Sequence, residues 1–112
     1  MNLLFICSEN RLRSPTAERV FSAYPGIQAI GAGTGANAKT PVSWALIKWA
    51  DIVLVMEKSH RDEVAKTYGE RLKGKRLVCL DIPDRYEFMQ PELIKLLKER
   101  VPEYVRLSSG ET

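Results

Sequence analysis

Apolar positions along the chain follow two alternating rhythms. Leu3–Ile6, Ile52–Met56 and Leu77–Leu80 are unbroken apolar runs of strand length. That is the pattern of parallel strands covered on both faces, and it predicts the centre of a sheet. A weaker run, Ile27 to Ala32, predicts one more strand ahead of the glycine-rich segment GAGTGANAK. Between the runs lie stretches with helical spacing: Ala17, Val20, Phe21 and Tyr24, then Pro41 to Ala50, then Ser59 to Tyr68. A last helix is predicted over Pro91 to Arg100, with Leu93, Ile94, Leu97 and Val101 on one side and Pro102 as its stop. Start signals precede the first three. Ser14-Pro15 and Thr40-Pro41 each place a hydroxyl before a first-turn proline, and Ser59 with Asp62 has the form of a capping box.

The resulting order, β-α-β-α-β-α-β-α without repeat or linker, predicts one domain over residues 1–112. Right-handed crossovers then give a doubly wound α/β fold, a four-stranded parallel sheet with helices on both faces. Ligands of such folds sit beyond the carboxyl ends of the strands, so the loops there are where chemistry is sought. GAGTGANAK contains GxGxxA, but the helix start at Thr40 follows only several residues later, which favours loop glycines over a nucleotide cradle.

Composition narrows the classes. With 45% hydrophobic and 28% charged residues the chain is neither disordered nor fibrous. No apolar run approaches the ~18 residues of a membrane span, so no membrane partner is expected. The first ten residues lack a positive region and a long apolar stretch, which predicts neither signal nor transit peptide and a cytoplasmic location. The net charge of +3 is interspersed, and nucleic acid is not an expected partner. KLLKER at 95–100 reads as the solvated face of an amphipathic helix. Two cysteines, Cys7 and Cys79, make no disulfide framework and are expected as free thiols.

Cys7 follows the first strand directly, Arg13 stands six positions on, and Ser14-Pro15 opens a helix. A loop closing onto a helix amino terminus aims backbone N–H groups at one point, where the helix dipole adds positive potential; a phosphate-like dianion suits such a site. The Arg13 guanidinium is able to grip two oxygens at once, and the same field favours a thiolate at Cys7. The spacing recurs at Cys79 and Arg85, but there the cysteine ends an apolar run, Pro83 lacks an amide hydrogen and no helix start follows. Only the first loop has the parts of an anion cradle, formed by Ser8, Glu9, Asn10, Arg11, Leu12, Arg13 and Ser14.

This loop resembles that of the low-molecular-weight protein tyrosine phosphatases. Their C-x-G-N-x-C-R-S-P with a following A-E pair is matched by C-S-E-N-R-L-R-S-P-T-A-E, which keeps Cys7, Asn10, Arg13, Ser14, Pro15, Ala17 and Glu18. GAGTGA at 31–36 is similar to the family's S-A-G-T turn. ADIVLVMEKSHRDEV at 50–64 is similar to D-L-I-L-x-M-D-x-S-N-x-x-x-L, and DIPDRY at 81–86 to D-x-P-D-P-Y. The chain departs from the pattern at Glu9 (a glycine in the family), Leu12 (a second cysteine) and Arg85 (a proline), and in a shorter region before Trp44.

The resemblance implies a flavodoxin-like, phosphotyrosine phosphatase I-like fold and a metal-free, cofactor-free, cysteine-dependent phosphatase acting on protein tyrosine phosphate or another aryl phosphate. Cys7 would attack phosphorus and Arg13 would hold the equatorial oxygens. Asp84 would act as acid and then base, with Asp81 as the alternative. Ser14 would bond the Cys7 sulfur, Asn10 would shape the loop, and Tyr86 would form a wall for an aryl group. Inorganic phosphate or sulfate is expected to occupy the same loop. Trp44 and Trp49, five apart, are expected on different sides of a helix, one at least in the core. His60 is given no metal or catalytic role, and Cys79 reads as a small buried hydrophobe. A thiol-dependent arsenate reductase, a phosphocarrier and a phospho-ligand binding module are the other readings. The first wants further redox cysteines, the second lacks the arginine, and Glu9 leaves the third open.

Overall fold

The computed structural model describes residues 1–107. Strand β1 (Asn2–Cys7) is followed by helix α1 (Arg13–Phe21), β2 (Gln28–Gly33), α2 (Trp44–Trp49), β3 (Ile52–Val55) and α3 (Lys58–Tyr68). A 3-10 turn at Gly69–Leu72 leads into β4 (Arg76–Cys79), and α4 (Pro91–Arg100) with a last 3-10 turn at Val101–Glu103 follows. The four strands form one parallel sheet in the order β2-β1-β3-β4. Leu3 pairs with Ala29 on one side and Ile52 on the other.

Because side chains alternate along a strand, β1 feeds both faces. Leu3, Phe5 and Cys7 enter a cluster with Ala17 and Phe21 of α1 and Leu93 and Leu97 of α4. Leu4 and Ile6 enter a second cluster with Ile47 of α2, Val53 and Val55 of β3 and Val64 of α3. Phe5 and Phe21 stack with ring centroids 5.5 Å apart, which fixes α1 against the sheet beside the loop that follows β1. Among the described residues no helix is long and apolar enough to cross a membrane.

Four details differ from the sequence expectations, each for a local reason. The helix expected from Pro41 is only Trp44–Trp49, capped by Ser43, whose hydroxyl accepts from Leu46 N–H at 3.2 Å. Thr40-Pro41 instead runs alongside the end of β2: Gly33 N–H donates to Thr40 at 2.9 Å and Val42 N–H to Gly33 at 2.9 Å. Helix α3 starts at Lys58, and its capping box is Glu57 with His60, not Ser59 with Asp62. β4 is a half-buried edge strand, and Cys79 at its end is half-buried rather than core. Burial still pushes the Cys79 thiol above its ordinary value. Trp44 and Trp49 both pack against the α2/α3 cluster, where Trp44 stacks on Tyr68 and lies beneath Arg71.

Candidate active site

Cys7 is the last residue of β1, and its side chain is buried on the α1 side of the sheet. The chain then turns sharply. Asn10 adopts φ 56°, a left-handed conformation that asparagine tolerates better than most residues, and this aims its N–H at Cys7 Sγ at 3.2 Å. The turn delivers Arg13 to the first position of α1. The helix has no side-chain cap: Ser14, expected in that role, lies inside the first turn, fully buried, with Oγ 3.0 Å from Cys7 Sγ. Its hydroxyl also donates to Asn10 Oδ1 at 2.5 Å. Sulfur, hydroxyl and amide therefore form one buried network that holds the loop around Cys7.

The neighbouring strand makes this bend possible. A Cβ at Gly33 would sit 2.6 Å from the Ser8 carbonyl oxygen, and one at Gly31 would sit 2.7 Å from Asn10 Oδ1. With glycine at both places the turn after β2 closes onto the loop. Thr34 N–H donates to Cys7 at 3.0 Å, Gly35 N–H to Ser8 at 2.8 Å and Lys39 N–H to Glu9 at 3.0 Å. The glycine-rich segment is thus a buttress for the first loop.

Arg13 is buried although charged, 2% exposed. Its Nη1 donates to Glu57 Oε2 at 2.5 Å and to the Ile82 carbonyl at 2.7 Å. Nε lies 3.8 Å from Asp84 Oδ1, an ion pair beyond hydrogen-bond reach. With Nη1 anchored to two acceptors, the fork of Nε and Nη2 is turned elsewhere, and bidentate binding of an oxyanion uses such an edge. A cavity of about 220 Å³ is lined by Cys7, Ser8, Glu9, Arg11, Leu12, Arg13 and Asp84. Glu9 and Arg11 pair with each other at 3.5 Å on its exposed rim.

The structure separates the residues singled out in the sequence. Cys7, the cradle segment and Asp84 meet at this cavity, whereas Asn10 and Ser14 stand behind it as supports. Asp81 lies outside the lining, with φ 54° and its carboxylate 3.5 Å from Cys79 Sγ. Tyr86 is half-buried against the α1/α4 core cluster and does not line the cavity. Arg100, read as part of a solvated face, donates to the carbonyls of Leu80 and Asp81 and so holds the start of the loop that carries Asp84.

Two residues without an expected role belong to the same constellation. Glu57, directly after the third apolar run, anchors Arg13, and His60 is 2% exposed with Nε2 2.9 Å from Ser8 Oγ. The signal for Glu57 was an acidic residue at a strand's carboxyl end, aligned with the aspartate of the family's M-D-x-S-N. Burial, followed by the Arg13 guanidinium, holds the His60 imidazole below its ordinary 6.5, against the opposing pull of Glu57 and Asp84.

No protein-family model matches the chain, and no curated protein matches it in sequence. Solved structures do match. The YwlE arginine phosphatase from Geobacillus stearothermophilus superposes with TM-score 0.72 at 22% identity, covering 91% of this chain and 90% of that one. The tyrosine phosphatase Wzb from Escherichia coli K30, in complex with phosphate, gives 0.73 at 23%, over 92% and 94%. A low molecular weight protein tyrosine phosphatase from Streptococcus pyogenes gives 0.77 at 15%, over 98% and 95%. The fold is therefore that of the low-molecular-weight phosphatases, a flavodoxin-like doubly wound sheet.

Proposed function

We propose that the protein is a cysteine-dependent phosphatase that hydrolyses protein tyrosine phosphate or another aryl phosphate through a cysteinyl-phosphate intermediate. The observation that carries this reading is the cavity lined together by Cys7, Arg13 and Asp84, with the Arg13 guanidinium anchored through Nη1. A phosphoryl group in that cavity would have its equatorial oxygens on the guanidinium and the loop amides, placing the charge where it grows during transfer. The Cys7 thiolate attacks phosphorus, the P–O ester bond breaks, and the leaving oxygen takes a proton from Asp84. The Asp84 carboxylate then takes a proton from water as that water attacks phosphorus, and the Cys7 thiolate leaves, releasing inorganic phosphate. The position of Ser14, 3.0 Å from Sγ, suits it to stabilise the departing sulfur once its proton turns from Asn10 Oδ1 to Sγ.

Support for phosphate as a ligand also comes from the Wzb neighbour, whose structure is a complex with phosphate. The two free cysteines suit a reducing, cytoplasmic setting. The test is hydrolysis of p-nitrophenyl phosphate in the presence of a chelator. Wild type is expected to turn over, Cys7→Ser to be inactive, and Asp84→Asn to lose ~10²- to 10⁴-fold in kcat with phosphate binding retained. A clean wild-type protein inactive across a broad pH range overturns the reading.

One observation favours a second substrate class. The cavity lining contains no aromatic residue, and two carboxylates, Glu9 and Asp84, stand in it. A guanidinium leaving group fits that rim better than a phenyl ring does. One of the structural neighbours is an arginine phosphatase. Comparing kcat/KM on matched phosphotyrosine and phosphoarginine peptides decides between them.

A further inference from the structure

We propose that His60 is a positioning residue for the oxyanion cavity, turning the Ser8 hydroxyl so that its proton faces the bound phosphoryl group. The inference rests on the reading of the cavity as a phosphate site, and it adds a side-chain donor that neither the loop motif nor the strand-helix pattern supplies.

The argument starts from the imidazole's two ends. Glu57 N–H donates to His60 Nδ1 at 3.0 Å, so Nδ1 is an acceptor and carries no proton. In the neutral ring the proton is then on Nε2, which lies 2.9 Å from Ser8 Oγ and donates to it. A hydroxyl has one proton and two lone pairs. With one lone pair taken by Nε2–H, the Ser8 proton is directed away from His60. Among the described residues no protein acceptor takes it, and Ser8 lines the cavity beside Cys7. The Ser8 backbone is itself pinned, since its carbonyl accepts from Gly35 N–H at 2.8 Å. The hydroxyl oxygen therefore has a fixed origin and its proton is confined to directions away from His60, two features of a preorganised oxyanion donor.

Capping alone does not account for the residue. The N-terminus of α3 needs only Nδ1, whereas the second bond crosses from α3 to the loop after β1 and consumes the imidazole's one proton. Both ring nitrogens are used, as expected of a buried polar group. An anion arriving in the cavity then meets a Ser8 donor already turned from His60, with less rotor entropy left to lose than a free hydroxyl has.

The two roles of His60 are separable by side-chain length. Asparagine places its oxygen near the position of Nδ1 and keeps the cap, but it does not reach Ser8; glutamine places a terminal N–H near the position of Nε2. Binding of inorganic phosphate, measured by calorimetry on wild type, Ser8→Ala, His60→Asn, His60→Gln and the Ser8→Ala/His60→Asn pair, tests the relay, with thermal melting in parallel. Ser8→Ala and His60→Asn are each expected to weaken phosphate binding about 10-fold. The pair should be no weaker than either single variant, and His60→Gln should recover most of the affinity. Wild-type affinity in Ser8→Ala or in His60→Asn, or additive losses in the pair, overturns the proposal alone. A wild-type protein that takes up no phosphate overturns the phosphate-site reading and this proposal with it.

Discussion

At the scale of single residues, the site depends on charges held by opposing partners. Arg13 is buried and tolerable only because Glu57 and the Ile82 carbonyl take Nη1, and those contacts also orient the rest of the fork. Arg13→Lys keeps the charge but loses the planar fork, and kcat/KM for p-nitrophenyl phosphate is expected to fall ~10²- to 10³-fold. Glu57→Ala should lower it by up to about 10²-fold, with Glu57→Gln losing less, because the amide oxygen still accepts from Nη1. Leu12 adds a second expectation. It stands in the cavity lining where the resembling loops carry a cysteine, and Cys79 does not line the cavity. Peroxide should therefore carry Cys7 past the sulfenic stage, and thiol treatment should not restore full activity, a result read by assay before and after reduction. Cys7 and Arg13 were legible in the sequence because one loop carries both. Glu57 and His60 were less so, lying 44 residues beyond Arg13 and 52 beyond Ser8, with a meeting that depends on β1 pairing with β3.

At the scale of elements, the cradle is shaped as much by β2 as by the loop itself. The glycines of GAGTG lie where side chains would meet the loop backbone, so Gly33→Ala forces a Cβ to within 2.6 Å of the Ser8 carbonyl and 3.0 Å of the Asn10 amide. Since both are backbone atoms, the loop has to move. Phosphate binding should weaken sharply and the thermal midpoint should fall, whereas Gly26→Ala, in open space, should change only stability through its φ of 78°. The strands and four helices were legible from apolar rhythm because each buries a face that the rhythm marks. The helix starts were less so, because a hydroxyl near a helix start has competing partners. Ser14 bonds Asn10 and stands against Cys7 instead of capping α1, and the residues around Thr40 extend pairing at the end of β2. β4 reads as a central strand, but its apolar run is only half-buried, with Val78 against one core cluster and Leu77 and Cys79 against the other, at an edge position that only sheet order reveals.

At the scale of the whole molecule, the carboxyl ends of β1, β3 and β4 deliver Cys7, Glu57 and Asp84 to one rim, the switch-point geometry of a doubly wound sheet. His60 links two of these ends, and its titration makes the link pH-dependent. The groups whose charges act on it are Arg13 from α1, Glu57 at the start of α3 and Asp84 after β4, and Ser8 is its neutral partner. Burial comes first among the causes that hold its folded-state pKa below 6.5. As pH falls below 6.5 the unfolded chain gains a proton that the folded chain refuses, so folding stability declines there; above 6.5 both states are neutral and the residue contributes no slope. Protonation also removes Nδ1 as the acceptor for Glu57 N–H, which breaks the capping box, while Nε2–H keeps its bond to Ser8. The expected outcome is a thermal midpoint that drops from pH 7 toward pH 5 more steeply in wild type than in His60→Gln, which has no proton to gain. Parallel curves for the two proteins would show that the buried imidazole is protonated without cost in the folded state and would contradict the neutral Nε2–H form.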